Sequence, residues 1–230
     1  MHLLAAQPGA VSDGSEAIDL GQSPGDIIVL SAADTELSLL AQACGQLTDN
    51  VDGFPSVRLA NIMHLAHNMS VDLYVDDMIR SAKLVVVRLL GGRGYWSYGV
   101  EQVAGVCAEL GIPVAFLPGD DQPDAELNSF TSLAPESTHR LWQYCVHGGL
   151  ENALSFMGFC ADLIDHPAEW QEPRPLVRAG LYWPGETMPD VESIQAHWKQ
   201  GEPVAAIIFY RALVQAGNTA VVDTMIASLQ

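Results

Sequence analysis

The chain has 230 residues and a mass of 24.7 kDa, with 10 Lys and Arg against 28 Asp and Glu and a formal net charge of −18. With 49% hydrophobic and 17% charged residues it is not a disordered acidic tail. So few cations exclude a general nucleic-acid binder and adhesion to an anionic membrane.

The length suits one large domain or two small ones, with enough chain to bury a core. The longest apolar run, residues 204–210, is seven residues, whereas a membrane-spanning helix needs ~20. Residues 1–6 carry no basic leader, and Gln7, Pro8 and Gly9 interrupt the apolar stretch, so no secretory signal is expected. Cys44, Cys107, Cys145 and Cys160 show neither CxxC nor zinc spacing and read as reduced thiols of a cytoplasmic protein.

In chain order, residues 2–6 offer an edge strand and residues 26–30 a strand apolar on both faces. Asp34 is placed to cap a helix over residues 35–46. A turn at residues 49–55 leads to a strand over 56–60 and a brief helix over 62–68. Ser70 is expected to cap the next helix, in which Val71, Tyr74, Val75, Met78, Ile79 and Ala82 form one apolar stripe. Asp72, Asp76 and Asp77 lie off that stripe, on a solvated face.

Residues 83–90 form a second buried strand with an exit loop over 91–99, followed by a helix over 100–110 that Gly111 closes. Residues 112–117 form a third strong strand. Strands alternating with helices predict parallel βαβ units. The fold class is therefore α/β, an open, doubly wound, mostly parallel sheet of flavodoxin-like or Rossmann-like type. Residues 121–137 read as a loop, 138–165 as helix broken at Gly148 and Gly149, and 166–178 as a proline-rich linker. A second α/β rhythm follows, with strands over 179–183 and 203–210, a helix over 191–199, a loop over 211–217 and a helix opened by Asn218 or Thr219. The expected domains are an α/β unit over 1–122, a helical segment and linker over 123–178, and an incomplete second α/β unit over 179–230.

Four of the ten cations, Arg80, Lys83, Arg88 and Arg93, fall in fourteen residues free of acid, and the first 57 residues hold no cation. In open α/β sheets ligands bind beyond the carboxyl ends of the strands, and the loop over 91–99 lies at such an end. Gly91 and Gly92 allow close backbone approach, Arg88 and Arg93 can fork onto a carboxylate, and Tyr95, Trp96 and Tyr98 offer flat apolar faces. These groups suit an anionic, flat, partly apolar ligand; as a plain turn, the same aromatics would cover the sheet end. The glycine spacing fits neither G-x-G-x-x-G nor a phosphate loop, which argues against direct nucleotide binding. A flavin-holding domain is disfavoured because no Ser/Thr-rich loop follows the first strands.

His64 and His67, at i and i+3, are metal-ligand candidates without a local third ligand. Asp120 and Asp121 follow a strand and could serve acid–base work or simply a solvated turn. Arg211 and Asn218 form a second strand-end group. No serine or cysteine triad is readable, and catalytic residues remain unassigned.

Three stretches, Asp26-Ile-Ile-Val-Leu-Ser-Ala-Ala-Asp-Thr-Glu-Leu37, Val85-Val-Val-Arg-Leu-Leu-Gly-Gly-Arg-Gly-Tyr-Trp-Ser-Tyr-Gly99 and Leu117-Pro-Gly-Asp-Asp121, resemble the start of the cobaltochelatase large subunit, whose family includes the magnesium chelatase H subunit. His147-Gly-Gly-Leu-Glu-Asn152, Ala179-Gly-Leu-Tyr-Trp-Pro-Gly185 and Phe209-Tyr-Arg-Ala-Leu-Val-Gln-Ala-Gly-Asn-Thr219 continue the resemblance in order. It implies a subunit that binds a tetrapyrrole and inserts a divalent metal: in the cobalt branch, cobalt into hydrogenobyrinic acid a,c-diamide during aerobic cobalamin biosynthesis. It also implies ATP hydrolysis by two smaller ATPase-type partner subunits. Members of the family are several times longer, so the resemblance covers an N-terminal portion, expected to be inactive alone. A non-catalytic tetrapyrrole-binding or subunit-docking module, or a magnesium chelatase H-type subunit, are the alternative readings.

Overall fold

The computed structural model describes residues 16–186, 189–199 and 201–230, so the expected edge strand over 2–6 lies outside the described residues. Four strands, β1 (Ile27–Ser31), β2 (Val57–Asn61), β3 (Leu84–Leu89) and β4 (Val114–Pro118), form one all-parallel sheet in the order β2-β1-β3-β4. Leu30 pairs in register with Ala60 on one side and Val87 on the other, and Val87 continues to Phe116. The central strand β1 is buried at every position, which is why it reads as an unbroken apolar run. At the edge, β2 is only half-buried over its first three residues. Arg58 reaches from there to the Ser23 and Pro24 carbonyls and the Ser23 hydroxyl.

The sheet is covered on both faces. Ile28, Leu30, Val85, Val87 and Phe116 pack toward α2 (Asn68–Asp77) and α3 (Ser97–Leu110). Ile27, Val29, Leu84, Val86 and Leu117 pack toward α1 (Asp34–Asn50), α5 (Pro135–His147) and α6 (Leu150–Asp162). Alternation along parallel strands thus divides one apolar run between two cores. No helix among the described residues is long and apolar enough to cross a membrane.

Several boundaries differ from the sequence reading. Asp34 is the first residue of α1 rather than its cap, and its carboxylate accepts from Asn61 Nδ2 at 2.6 Å. Ser70 lies buried inside α2, where its hydroxyl accepts from the Ile18 amide; His67 Nδ1 caps the helix by accepting from the Met69 amide. The expected helix over 62–68 is a 3-10 turn, Ile62–Leu65. The apolar stripe of residues 71–82 is buried as expected, but α2 stops at Asp77 and a 3-10 turn, Ile79–Ser81, carries the stripe onward. Inside the expected loop over 121–137 sits α4 (Ala125–Asn128), capped by Asp124 Oδ1 and anchored by the fully buried Leu127. One turn of helix is too short to show a period.

Residues 166–178 have no regular structure but are strapped down. Asn152 bonds both the amide and the carbonyl of Arg174, and Tyr144 donates to the Gln171 carbonyl. Arg140 holds Glu172 in a two-pronged pair and lies over the rings of Phe159 and Trp170, 5.0 and 4.9 Å from their centroids. The strands expected over 179–183 and 203–210 do not form: both stretches are without regular structure and unpaired among the described residues. A strand needs a partner for its amides and carbonyls, and the described chain supplies none there. The expected loop over 211–217 instead begins as α8 (Arg211–Gln215), and α7 (Val191–Gln195) and α9 (Ala220–Leu229) complete the chain.

Asp26 at the start of β1 accepts from the Ser56 hydroxyl at 2.6 Å and the Ser56 amide at 2.9 Å and pairs with Lys83 at 2.9 Å. These bonds, Ser56 first and Lys83 second, hold its carboxyl down at about 2. A depressed folded-state pKa favours folding above the unfolded value of ~3.9, and that contribution is lost as pH falls through the folded value. Urea midpoints measured from pH 5 to 2 should therefore fall less in Asp26→Asn than in the wild type; parallel slopes would refute the assignment.

All four cysteines are free thiols, and burial pushes Cys44 and Cys107 up to about 12 and Cys145 and Cys160 higher still. Since the thiolate is the nucleophile, iodoacetamide at pH 8 should label the buried Cys107 and Cys160 of the native protein only as fast as it opens. Rapid labelling of either without denaturant would contradict this.

Candidate functional site

The chain leaves β1 into α1 on one face and β3 into α3 on the other, so the carboxyl ends of these neighbouring strands are the topological switch point. Arg88 fills its floor. Its Nη1 pairs with Glu36, its Nη2 donates to the Gly119 carbonyl at 2.9 Å and its Nε to the Pro118 carbonyl at 3.2 Å. The second oxygen of Glu36 accepts from the Ser31 hydroxyl at 2.6 Å, and that hydroxyl accepts from the Ala33 amide. Burial works against the Arg88 charge, but Glu36 beside it holds the guanidinium above its ordinary range. Arg88 thus clamps β3, β4 and α1 together, with its donors met from within the protein.

Above it, Gly91 (φ 92°) and Gly92 (φ 70°) turn the chain through conformations that favour glycine. A 3-10 turn, Arg93–Tyr95, follows. Arg93 pairs with Glu101 and Glu126, lies over the Phe130 ring at 5.6 Å, and keeps a buried Nε without a partner. Trp96 is buried and donates Nε1 to the Leu65 carbonyl at 2.9 Å, while Tyr95 is half exposed and Tyr98 donates to Asp72. An open cleft of about 350 Å3 lies between the ends of β3 and β4, lined by Gly91, Gly92, Gly119, Asp120, Gln122 and Asp124. Asp120 accepts from the Gln122 amide there. A Cβ on Gly92 would stand 2.9 Å from Asp124 Oδ2, so glycine keeps this wall open.

The other candidates lie elsewhere. His67 is committed to capping α2, and His64 is exposed on the preceding turn. Among the described residues no three His, Cys, Asp or Glu side chains are grouped to hold a metal. Arg211 opens α8, its Nη1 donating to the Leu176 carbonyl at 3.2 Å. The Asn218 amide closes that helix on Leu213. Here the motifs around His147 and Arg211 meet: the Gly149 amide donates to the Gln215 carbonyl at 2.8 Å and Gln215 Nε2 to the Val146 carbonyl at 2.9 Å. Burial, then the Arg211 charge, lower the His147 pKa. Sequence reasoning missed Glu36, Glu101 and Glu126. Glu36 in the first turn of α1 was a usable signal, since that helix starts beside the end of β3; the partners of Arg93 come from α3 and α4, and α4 carried no pattern.

A parallel sheet wound on both faces, with a cleft at its carboxyl edge, defines a doubly wound α/β module. Residues 142–230 match the family described as CobN/Magnesium Chelatase. Along its whole length the chain is 44% identical to the aerobic cobaltochelatase subunit CobN of Sinorhizobium sp, and over 96% of its length it is 42% identical to the subunit of the same name from Pseudomonas aeruginosa. The chain belongs to the CobN/magnesium chelatase family. It spans 18% and 17% of the length of those two relatives. The solved catalytic subunit of cobaltochelatase from Mycobacterium tuberculosis shares the fold, with a TM-score of 0.62 at 24% identity over 90% of this chain and 15% of that one.

Proposed function

We propose that this chain is an N-terminal part of the large, tetrapyrrole-binding subunit of an ATP-dependent cobaltochelatase, which inserts cobalt into hydrogenobyrinic acid a,c-diamide in aerobic cobalamin biosynthesis. The 44% identity to a CobN subunit, sustained along the whole chain, carries this reading. Cobalt is the substrate metal. ATP is used by two smaller ATPase-type partner subunits in the cytoplasm, in keeping with a sequence that lacks a G-x-x-x-x-G-K-[ST] loop. In this reading Gly91, Gly92, Arg93 and Tyr95 meet the edge of the macrocycle at the cleft, Arg88 and Trp96 hold that loop in place, and Arg211 and Asn218 act from the second constellation. Arg93 already holds two carboxylates, so a substrate carboxylate there must exchange with Glu101 or Glu126.

The test is a chimera in which this chain replaces the matching segment of the Sinorhizobium subunit, assayed with both partner subunits, ATP, cobalt and hydrogenobyrinic acid a,c-diamide. Cobalt insertion at a rate near the parent's is expected. A folded chimera that inserts no cobalt, or that inserts only magnesium into a porphyrin, overturns the reading.

A further inference from the structure

The sheet ends at β4, and the outer side of that strand is accounted for group by group. The Val85 amide donates to the Pro113 carbonyl and the Gly119 amide to the Leu89 carbonyl, so residues 113, 115, 117 and 119 bond toward β3 and residues 114, 116 and 118 away from it. The Val114 amide donates to the Ser132 hydroxyl at 2.9 Å, and the Phe116 amide to the Thr131 hydroxyl at 2.9 Å. Pro118 has no amide to offer. The Val114 carbonyl accepts from the Ser132 amide at 2.9 Å, and the Pro118 carbonyl accepts from Arg88 Nε. The Thr131 hydroxyl also leans back on the Phe116 carbonyl at 3.4 Å.

The segment that supplies these groups is not a strand. Residues 131–133 have no regular structure, and two side chains do what the carbonyls of a neighbouring strand would do. The segment is pinned across the edge from both faces. Leu127 and Phe130 pack into the core under α2 and α3, Phe130 edge-on to Phe116 at 6.1 Å, and Leu133 packs into the core under α1, α5 and α6. A bare edge strand is a template for pairing with another chain. The residues of β4 suit such pairing, since Val114-Ala115-Phe116-Leu117 is apolar and uncharged. Two copies meeting there would pair about a two-fold axis.

We propose that Thr131 and Ser132 guard the edge of the sheet: their hydroxyls occupy the outward amides of β4 and block strand addition there by a second copy of this chain. The same contacts shut residues 179–183 and 203–210 out of the sheet at β4, although both have strand composition. A hydroxyl suits the task because it takes up one amide and ends there, whereas an added strand would present a fresh edge of its own.

The test combines Thr131→Val and Ser132→Ala, which remove both hydroxyls at nearly constant volume. Amide hydrogen exchange and sedimentation are read together on the 230-residue chain. In dilute solution the Val114 and Phe116 amides should exchange about tenfold faster than in the wild type. As concentration rises, the variant should gain a dimer in which those two amides are protected again, while wild-type exchange at both stays independent of concentration. Thr131→Ser with Ser132→Thr keeps both acceptors and should behave as the wild type. Thr131→Val alone should speed Phe116 and leave Val114 slow, again with protection regained at high concentration, which gives a reading should the double variant not fold. Three results overturn the proposal: wild-type exchange at Phe116 in either variant that lacks the Thr131 hydroxyl, a hydroxyl-free chain whose mass and exchange do not change with concentration, or a hydroxyl swap that associates as the hydroxyl-free chain does.

Discussion

Replacing Glu36 with alanine will cost about 3–5 kcal/mol of folding stability, read as a lowered urea midpoint at constant slope. Both side chains of the Glu36–Arg88 pair are only 14% exposed, so removing the carboxylate strands a guanidinium under the sheet edge without its paired acid. Arg88→Ala should cost a similar amount, because Glu36 is then left buried and the Pro118 and Gly119 carbonyls lose their donor. The double variant Glu36→Leu with Arg88→Met should be more stable than either single variant, since an apolar pair of similar volume carries no desolvation penalty. Additive losses when Glu36→Ala and Arg88→Ala are combined would show that the two side chains act independently.

Trp96→Ala should destabilise the chain by about 3–5 kcal/mol, as for other buried tryptophans. The indole is 7% exposed, packs in the same core as Val100 and Leu65, and satisfies the Leu65 carbonyl. Trp96→Phe separates the two roles: it keeps most of the apolar area and loses the hydrogen bond, so it should cost about 1–3 kcal/mol. Gly99 is part of the same device. A Cβ on it would run into the Trp96 ring, so Gly99→Ala should lower the midpoint in the same direction. A Gly99→Ala protein as stable as the wild type would show that the ring has room to move.

The sheet was legible because its central strands are buried on both faces and write themselves as Ile27-Ile28-Val29-Leu30 and Leu84-Val85-Val86-Val87. The stripe from Val71 to Ala82 was legible for the same reason. Helix beginnings were not, because a cap is decided by one hydrogen bond: His67 rather than Ser70 turned toward the free amides. The strands expected over 179–183 and 203–210 have strand composition, but pairing is a property of two segments and cannot be read from one. At the candidate site the sequence located the loop and the arginines. It could not show that Arg88 is spent on Glu36 and two carbonyls, since those acceptors come from 52, 30 and 31 residues away.

The strap over residues 166–178 has a further consequence for the last fifty residues. Arg174 is held on both sides by Asn152, and Gln215 is stitched to Val146 and Gly149. The stretch between them therefore has two moorings on the α5–α6 pair and cannot swing as a bead on a string. Because the mooring at Arg174 lies only four residues before Arg178, the backbone of Arg178 stays within ~14 Å of it at full extension. Arg174, Arg178 and Arg211 thus remain at high effective concentration with respect to one another whatever the intervening chain does. The strap and the helices that follow it are thus held to the α5–α6 pair at both ends.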